Sequence, residues 1–194
     1  IIQRGEHLAV SAWDHSVHVD VTDLQASRPY WYRFSALGQQ SRAGRTRTAP
    51  QNSALEPLHF VTASCQRWDH GHYAAWDHIS RESPDLVLFL GDYIYEYGAV
   101  PGRIRSHEGG LVSTLAQYRA RYAQYKSDPA LQSAHACAPW MVIWDDHEVD
   151  NDYANLQGER LQPDFAKQRA AAYQAYWENM PLPNMMQPSL EHAG

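Results

Sequence analysis

Three short apolar runs punctuate the middle of the chain, and each stops on residues able to hold a metal. Leu58–Ala63 runs into Ser64-Cys65-Gln66, and Asp85–Leu90 runs into Gly91-Asp92-Tyr93-Ile94-Tyr95-Glu96. Trp140–Trp144 runs into Asp145-Asp146-His147-Glu148. Runs of this length, bounded by Gly, Pro or polar clusters, predict buried strands. Helical patterns lie between and after them. Gly71–Ser80 predicts a short helix. Thr114–Lys126 sets Leu115, Tyr118, Tyr122 and Tyr125 at helical spacing, with Arg119 and Arg121 placed elsewhere. Asp128-Pro129 reads as an N-cap followed by proline at the first helical position, opening a helix to Ala136. Asp164–Met180 predicts a longer helix with Phe165, Ala172, Tyr176 and Met180 apolar. Strand-helix alternation implies a largely parallel sheet covered by helices.

Residues 1–50 have a different texture. Ser16–Thr22 alternates polar and apolar positions, as a half-buried strand does. Pro29–Leu37 is aromatic-rich, and Gly38-Gln39-Gln40-Ser41 offers a hairpin turn into Arg42–Thr48. Three strands on short connections predict part of a small antiparallel sandwich. The Pro-bracketed stretch Ala49–Pro57 reads as a linker, placing the domains at 1–50 and 58–194 with a join at 51–57. The loop Tyr97–Ser113 carries four glycines and two arginines, and a loop of that length is often functional.

Composition narrows the picture. Seven tryptophans and a hydrophobic fraction of 44% are enough to fill a core. No run approaches the ~20 apolar residues that span a bilayer. A net charge of −6 argues against a nucleic-acid partner bound through its phosphates. Cys65 and Cys137 form no disulfide framework. Cys65 is read as a ligand and Cys137 as a small buried residue, although the two are also able to pair.

In an open α/β sheet, ligands gather beyond the carboxyl ends of the strands. A thiol, a carboxylate with a phenol, and an Asp-Asp-His-Glu cluster are therefore expected at one edge. Gly91 lets the backbone turn sharply beside Asp92, and Tyr95 lies one turn on. A tyrosine ligates best as tyrosinate on a hard trivalent ion such as iron(III), which depresses the phenol's pKa; alone it is more often a packed aromatic. Mixed sulfur, phenolate and carboxylate donors suit a redox-capable transition metal. The hard donors of Asp145–Asn151 suit calcium, magnesium or manganese. Five carboxylates in this stretch (Asp145, Asp146, Glu148, Asp150 and Asp152) repel one another unless a cation or water separates them. A helix cap or solvated turn accounts equally for Asp150 and Asp152. His147 is placed to ligate, or to stand beside the metal and protonate a leaving group. Two metals bridged by Asp92 give a geometry that activates water and neutralises a phosphoryl group.

The segments SCQ (64–66), GDYIYE (91–96), TLAQYRARYAQYKSDPALQ (114–132) and WDDHEVDNDYA (144–154), in this order, resemble the PhoD-like alkaline phosphatases of the calcineurin-like metallophosphatase superfamily. The likeness extends to YWYRFSALGQQSRAGRTRTAP (30–50), which resembles the end of an Ig- or fibronectin-like sandwich. The resemblance implies an α/β metallophosphatase-type sheet preceded by that all-β sandwich. It implies a secreted or periplasmic phosphomonoesterase and phosphodiesterase holding Fe(3+) and Ca(2+). On that resemblance Cys65 and Tyr95 bind iron and Asp92 bridges the metals. The second-metal position falls on Asp146, with Asn151 a second candidate in the same loop, and His147 stands near the phosphate. Arg67 is a candidate to steady a phosphate, though a surface arginine is the plainer reading. Phospholipase D-like or nucleotide phosphodiesterases share these ligands, and a non-catalytic calcium-binding fragment is the alternative from outside enzymology. The family also carries a later Gly-Asp-x-His motif, and His192 lacks the apolar strand that would precede it. The resemblance thus predicts a piece of a longer enzyme, or a partner chain that supplies the remainder.

Overall fold

The computed structural model describes residues 1–51 and 55–189. The expected linker Ala49–Pro57 falls partly outside these residues, and His192 wholly outside them. Near the start, β1 (Pro29–Tyr32) pairs antiparallel with β4 (Gly44–Arg47), and β2 (Ser35–Ala36) with β3 (Gln39–Gln40). Leu37 and Gly38 take φ of 51° and 75° between β2 and β3, the left-handed pair that a two-residue hairpin requires. The expected strand Pro29–Leu37 is therefore broken in two at Arg33-Phe34. The described residues form two small antiparallel ribbons.

Ser16–Thr22 is a correction: it alternates like a strand but joins no sheet. Its partners are side chains of the last helix and the turn after it. His18 stacks on Trp177 at 3.9 Å between centroids, and its Nδ1 bonds the Leu182 carbonyl at 2.8 Å. The Asn184 amide donates to the Asp20 carboxylate at 2.7 Å. Aromatic stacking replaces the ladder that the alternation predicts.

From Phe60 the predicted alternation is realised. The order is β5 (Phe60–Ala63), α1 (Ala74–Glu82), β6 (Leu86–Leu90), α2 (Leu115–Lys126), α3 (Pro129–Cys137), β7 (Trp140–Ile143) and α4 (Phe165–Asn179). The three strands form one parallel sheet with β6 in the middle, Val61 opposite Val87 and Phe89 opposite Val142. All three carboxyl ends therefore meet at one edge, as the sequence predicts. The first ribbon is fastened near the opposite end: Arg45 Nη1 donates to the carbonyls of Pro84 (2.9 Å) and Cys137 (3.0 Å), and Arg47 pairs with Asp85.

The core lies between the sheet and its helices. Phe89 is 1% exposed and packs among Trp76, Tyr93 and Trp140. On the other face Phe60, Leu90, Met141 and Ile143 are at least half exposed. No helix of the described residues is long and apolar enough to cross a membrane.

Helix α2 begins on a capping box in which Thr114 and Gln117 satisfy each other's backbone amides. Its face of Tyr118, Tyr122 and Tyr125 is fully buried, as expected. Arg121 is a correction. Its charge suggested an outward position, yet it lies between those tyrosines at helical spacing and is 2% exposed. Its guanidinium donates to the carbonyls of Tyr95, Tyr97 (2.6 Å), Glu108 (3.2 Å) and Gly110 (3.3 Å). Four backbone acceptors do the work of a counter-ion and pin both ends of the loop 97–110.

Phe89→Ala should remove about 3–5 kcal/mol of stability by opening a cavity among the rings. Chemical denaturation checks this, and a loss under 1 kcal/mol would mean that the aromatic layer repacks.

Candidate metal centre

Three loops build the site, and all leave the same sheet edge. After β6, Gly91 has φ of 96°, and a Cβ there would meet Asp145 Cβ at 2.5 Å and its backbone nitrogen at 2.7 Å. Only glycine lets the two loops approach this closely. Cys65 and Asp92 take φ of 57° and 58°, a strained choice for residues with side chains and one that clusters at functional sites. The Cys65 amide donates to the Gly91 carbonyl at 3.1 Å and the Gln66 amide to that of Asp92 at 3.2 Å, so strand pairing continues into the loops.

Gln66 knits this corner. Its Nε2 donates to the Tyr93 carbonyl at 3.0 Å, and its Oε1 accepts from Trp76 Nε1 at 2.8 Å. Two buried glutamates then cross between the loops. Glu148 accepts the Tyr93 amide at 2.5 Å and the Asp145 amide at 2.9 Å. Glu96 accepts His147 Nδ1–H at 2.9 Å and the Asn151 amide at 3.1 Å. Each loop thus holds the other through a carboxylate. Burial pushes the Glu148 carboxyl up to about 7, against the lowering effect of its amide donors.

The side chains held this way converge. Asp92, Asp146 and His147 offer ligand atoms all within 4.8 Å of one another. Asp92 Oδ1 is buried without a hydrogen-bond partner among the described residues, while Oδ2 accepts the Tyr95 hydroxyl at 3.0 Å. The Cys65 thiol interacts with both Asp92 and Tyr95. Without a cation, the site resists ionisation. A hydrogen bond from Ser64 lowers the Cys65 pKa, but burial and the Asp92 carboxylate carry it above its usual value. Burial first, then Asp92 and Cys65, raises the Tyr95 phenol. Burial also raises Asp145, helped by Asp92 and Asp146. A cation reverses this balance, since it favours thiolate, phenolate and carboxylate together. The orphaned Asp92 oxygen and this donor set fit a metal.

His147 stacks on Tyr95 at 4.1 Å between centroids. Burial lowers its pKa, but Glu96, Asp146 and Asp92 outweigh that and raise it. With Nδ1–H committed to Glu96, Nε2 is left to face the cluster.

The carboxylates of the Asp145–Asp152 stretch have separate tasks. Asp146 joins the cluster and accepts the Asp152 amide at 2.6 Å. Glu148 is the clamp. Asp150 is fully buried, pairs with Arg160 and accepts the Glu159 amide at 3.1 Å, which shapes the loop 150–162. The Asn151 side chain donates to Asp152 and Glu159, each at 3.1 Å. Arg67 lies on Asp69 and over the rings of Tyr95 and Tyr97. Sequence reasoning missed the supporting roles of Glu96, Glu148 and Gln66. Their signal was present, because each glutamate follows its loop's Asp ligand candidate within a few residues and would be costly to bury unpaired.

The model of the PhoD-like phosphatase family matches residues 60–192, and that of the PhoD-like phosphatase N-terminal domain matches residues 1–50. Alkaline phosphatase D of Bacillus subtilis (strain 168) is 46% identical, over 94% of this chain and 33% of that protein. A solved structure titled "Structure of PhoD" superposes with a TM-score of 0.91 at 46% identity, over 95% of this chain and 37% of the other. The chain spans about a third of the length of these relatives.

Glu148→Gln should cost about 1–3 kcal/mol, because the new amide group faces a buried N–H that loses its acceptor. Metal affinity should fall about 10–100-fold with it. Denaturant midpoints and metal titration read both, and an unchanged metal affinity would show that the clamp does not set the ligands.

Proposed function

The chain belongs to the PhoD-like phosphatase family, and from that premise we propose a metal-dependent phosphoesterase that hydrolyses phosphate monoesters and diesters. The observation that carries the reading is Asp92. One of its oxygens is buried and unpartnered; Cys65 and Tyr95 adjoin its carboxylate, and Asp146 and His147 offer ligand atoms within 4.8 Å.

Cys65, Tyr95 and Asp92 would hold Fe(3+), and Asp92 and Asp146 would hold Ca(2+), with Asn151 adjoining in the same loop. Bound there, the metals supply Lewis acidity that makes water nucleophilic and neutralises phosphoryl charge. The rest falls to the chain. Asp92 fixes the separation of the two sites. Glu96 holds His147 Nδ1–H, so protonated Nε2 is aimed at the leaving oxygen and gives up its proton there. The Glu96 carboxylate beside Nδ1 favours the protonated ring. Gly91 and the strained turns at Cys65 and Asp92 keep the donors in place before substrate arrives.

The same resemblance supports an amino-terminal sandwich over 1–50, a join at 51–57, a catalytic region over 58–194, and a secreted or periplasmic setting. The separate family matches to 1–50 and 60–192 favour that division.

In the full-length metal-loaded protein, Asp92→Asn should lower hydrolysis of a chromogenic phosphodiester by more than the about 10–100-fold that loss of a supporting contact costs. Near-normal turnover in that variant would end the bridging role. Cys65→Ala should lower the iron content measured by elemental analysis while calcium stays bound. Equal iron in parent and variant would remove Cys65 from the ligand set.

A further inference from the structure

The mouth of the metal centre is electrically lopsided. On the β7 side stand Asp145, Asp146, Asp152 and Glu159, all at least partly exposed. On the other side are two guanidiniums, Arg67 and Arg103. Both are drawn onto Asp69, whose side chain is 0% exposed; Arg67 Nε lies at 2.7 Å and Arg103 Nε at 3.5 Å. Two positive charges share one carboxylate, so one remains unbalanced.

Tyr97 marks the boundary between the two sides. Arg67 lies 4.7 Å from its ring centroid, while its phenol feels Glu96, Glu159 and Asp146 from the other direction. Arg67 also lies 5.4 Å from the centroid of Tyr95, whose hydroxyl is on Asp92. The guanidinium and the cluster thus share a neighbour, the Tyr95 ring. Its neighbours there are aromatic faces, which hold a guanidinium flat and leave its edge open. The side chains of Arg67 and Arg103 are 19% and 41% exposed. Among the described residues, Arg67 Nη1 and both terminal nitrogens of Arg103 make no hydrogen bond.

We infer that Arg67 and Arg103 form a recognition edge for a second anionic group, a carboxylate or phosphate carried by the ester a short spacer away from its reacting phosphoryl group. The inference rests on the phosphoesterase reading for the position of that phosphoryl group. The unbalanced arginine charge orients an anionic ester as it docks, by drawing the second anion to that side. Forked donors then hold the second anion with two parallel hydrogen bonds. An ester with an uncharged alcohol gains nothing from this edge, so the edge sets specificity and leaves the chemical step alone.

The test is calorimetric binding of two phosphonates, methylphosphonate and 3-phosphonopropionate, to the full-length metal-loaded protein. Neither is hydrolysed, and they differ by one carboxymethyl group. The parent should bind 3-phosphonopropionate about tenfold more tightly, the advantage expected of one charge-assisted contact. Arg103→Met should bring the two affinities together, and Arg67→Met should do the same. Arg103 is the more exposed of the pair, so its variant separates recognition from any shift of the Tyr95 and Tyr97 rings. Equal affinities in the parent would overturn the inference. So would variants that weaken both ligands alike, since the arginines would then serve the phosphoryl group or the fold. A preserved contrast between the two phosphonates in a protein that hydrolyses no ester would support the edge while ending the phosphoesterase reading.

Discussion

The site depends on an exchange of two carboxylates. Glu96 leaves the loop after β6 and takes an imidazole and an amide of the loop after β7; Glu148 leaves that second loop and takes an amide of the first. Neither loop has regular structure through which to hold its shape. Each is fixed by the other, and Gly91 removes the side chain that would keep them apart. Buried carboxylates are tolerable only when amide or imidazole donors meet them. The same condition that makes the glutamates safe to bury therefore brings Asp92, Asp146 and His147 together. Three parallel strands supply the common edge, and the exchange supplies the constellation.

Backbone strain fits the same scheme. Left-handed turns at Cys65 and Asp92 are unfavourable for residues with side chains, and each costs on the order of 1–3 kcal/mol. They persist because strand pairing runs on into the loops and Gln66 ties both to the helical layer through Trp76. An acidic pocket is the result, in which the Cys65 thiol and the Tyr95 phenol resist ionisation until a cation favours it.

Much of this was legible in the residues. Short apolar runs ending on Cys65, Asp92 and Asp146 announced three strands with a shared edge, because a parallel sheet puts all its carboxyl ends on one side. The Tyr118–Tyr122–Tyr125 spacing announced the buried face of α2. What periodicity could not reveal was how polar groups are paired off. Arg121 fits the helical face by position yet was set aside by charge, since its four partners are carbonyls of a distant loop. Ser16–Thr22 alternates like a strand, but stacking on Trp177 is a tertiary contact that no local pattern encodes. Asp150 reads as a cap or a solvated carboxylate of the acidic stretch, yet it is buried and Arg160 claims it. In each case the missing information was a tertiary or loop partner that no periodic pattern encodes.

Arg121 carries a further implication. Arg121 itself grips the loop it pins through main-chain carbonyls, which every amino acid possesses. That grip is independent of the loop's side chains, of which Arg105 and His107 add holds of their own on Asp128 and Tyr125, and the phenol-bearing turn at Tyr95 stays where the same guanidinium puts it. At its exposed positions, Arg103 and Ile104 among them, the loop is an interchangeable cassette: there natural variation, or a designer, can rewrite what the surface recognises while Arg105, His107 and the ligands beneath keep their geometry.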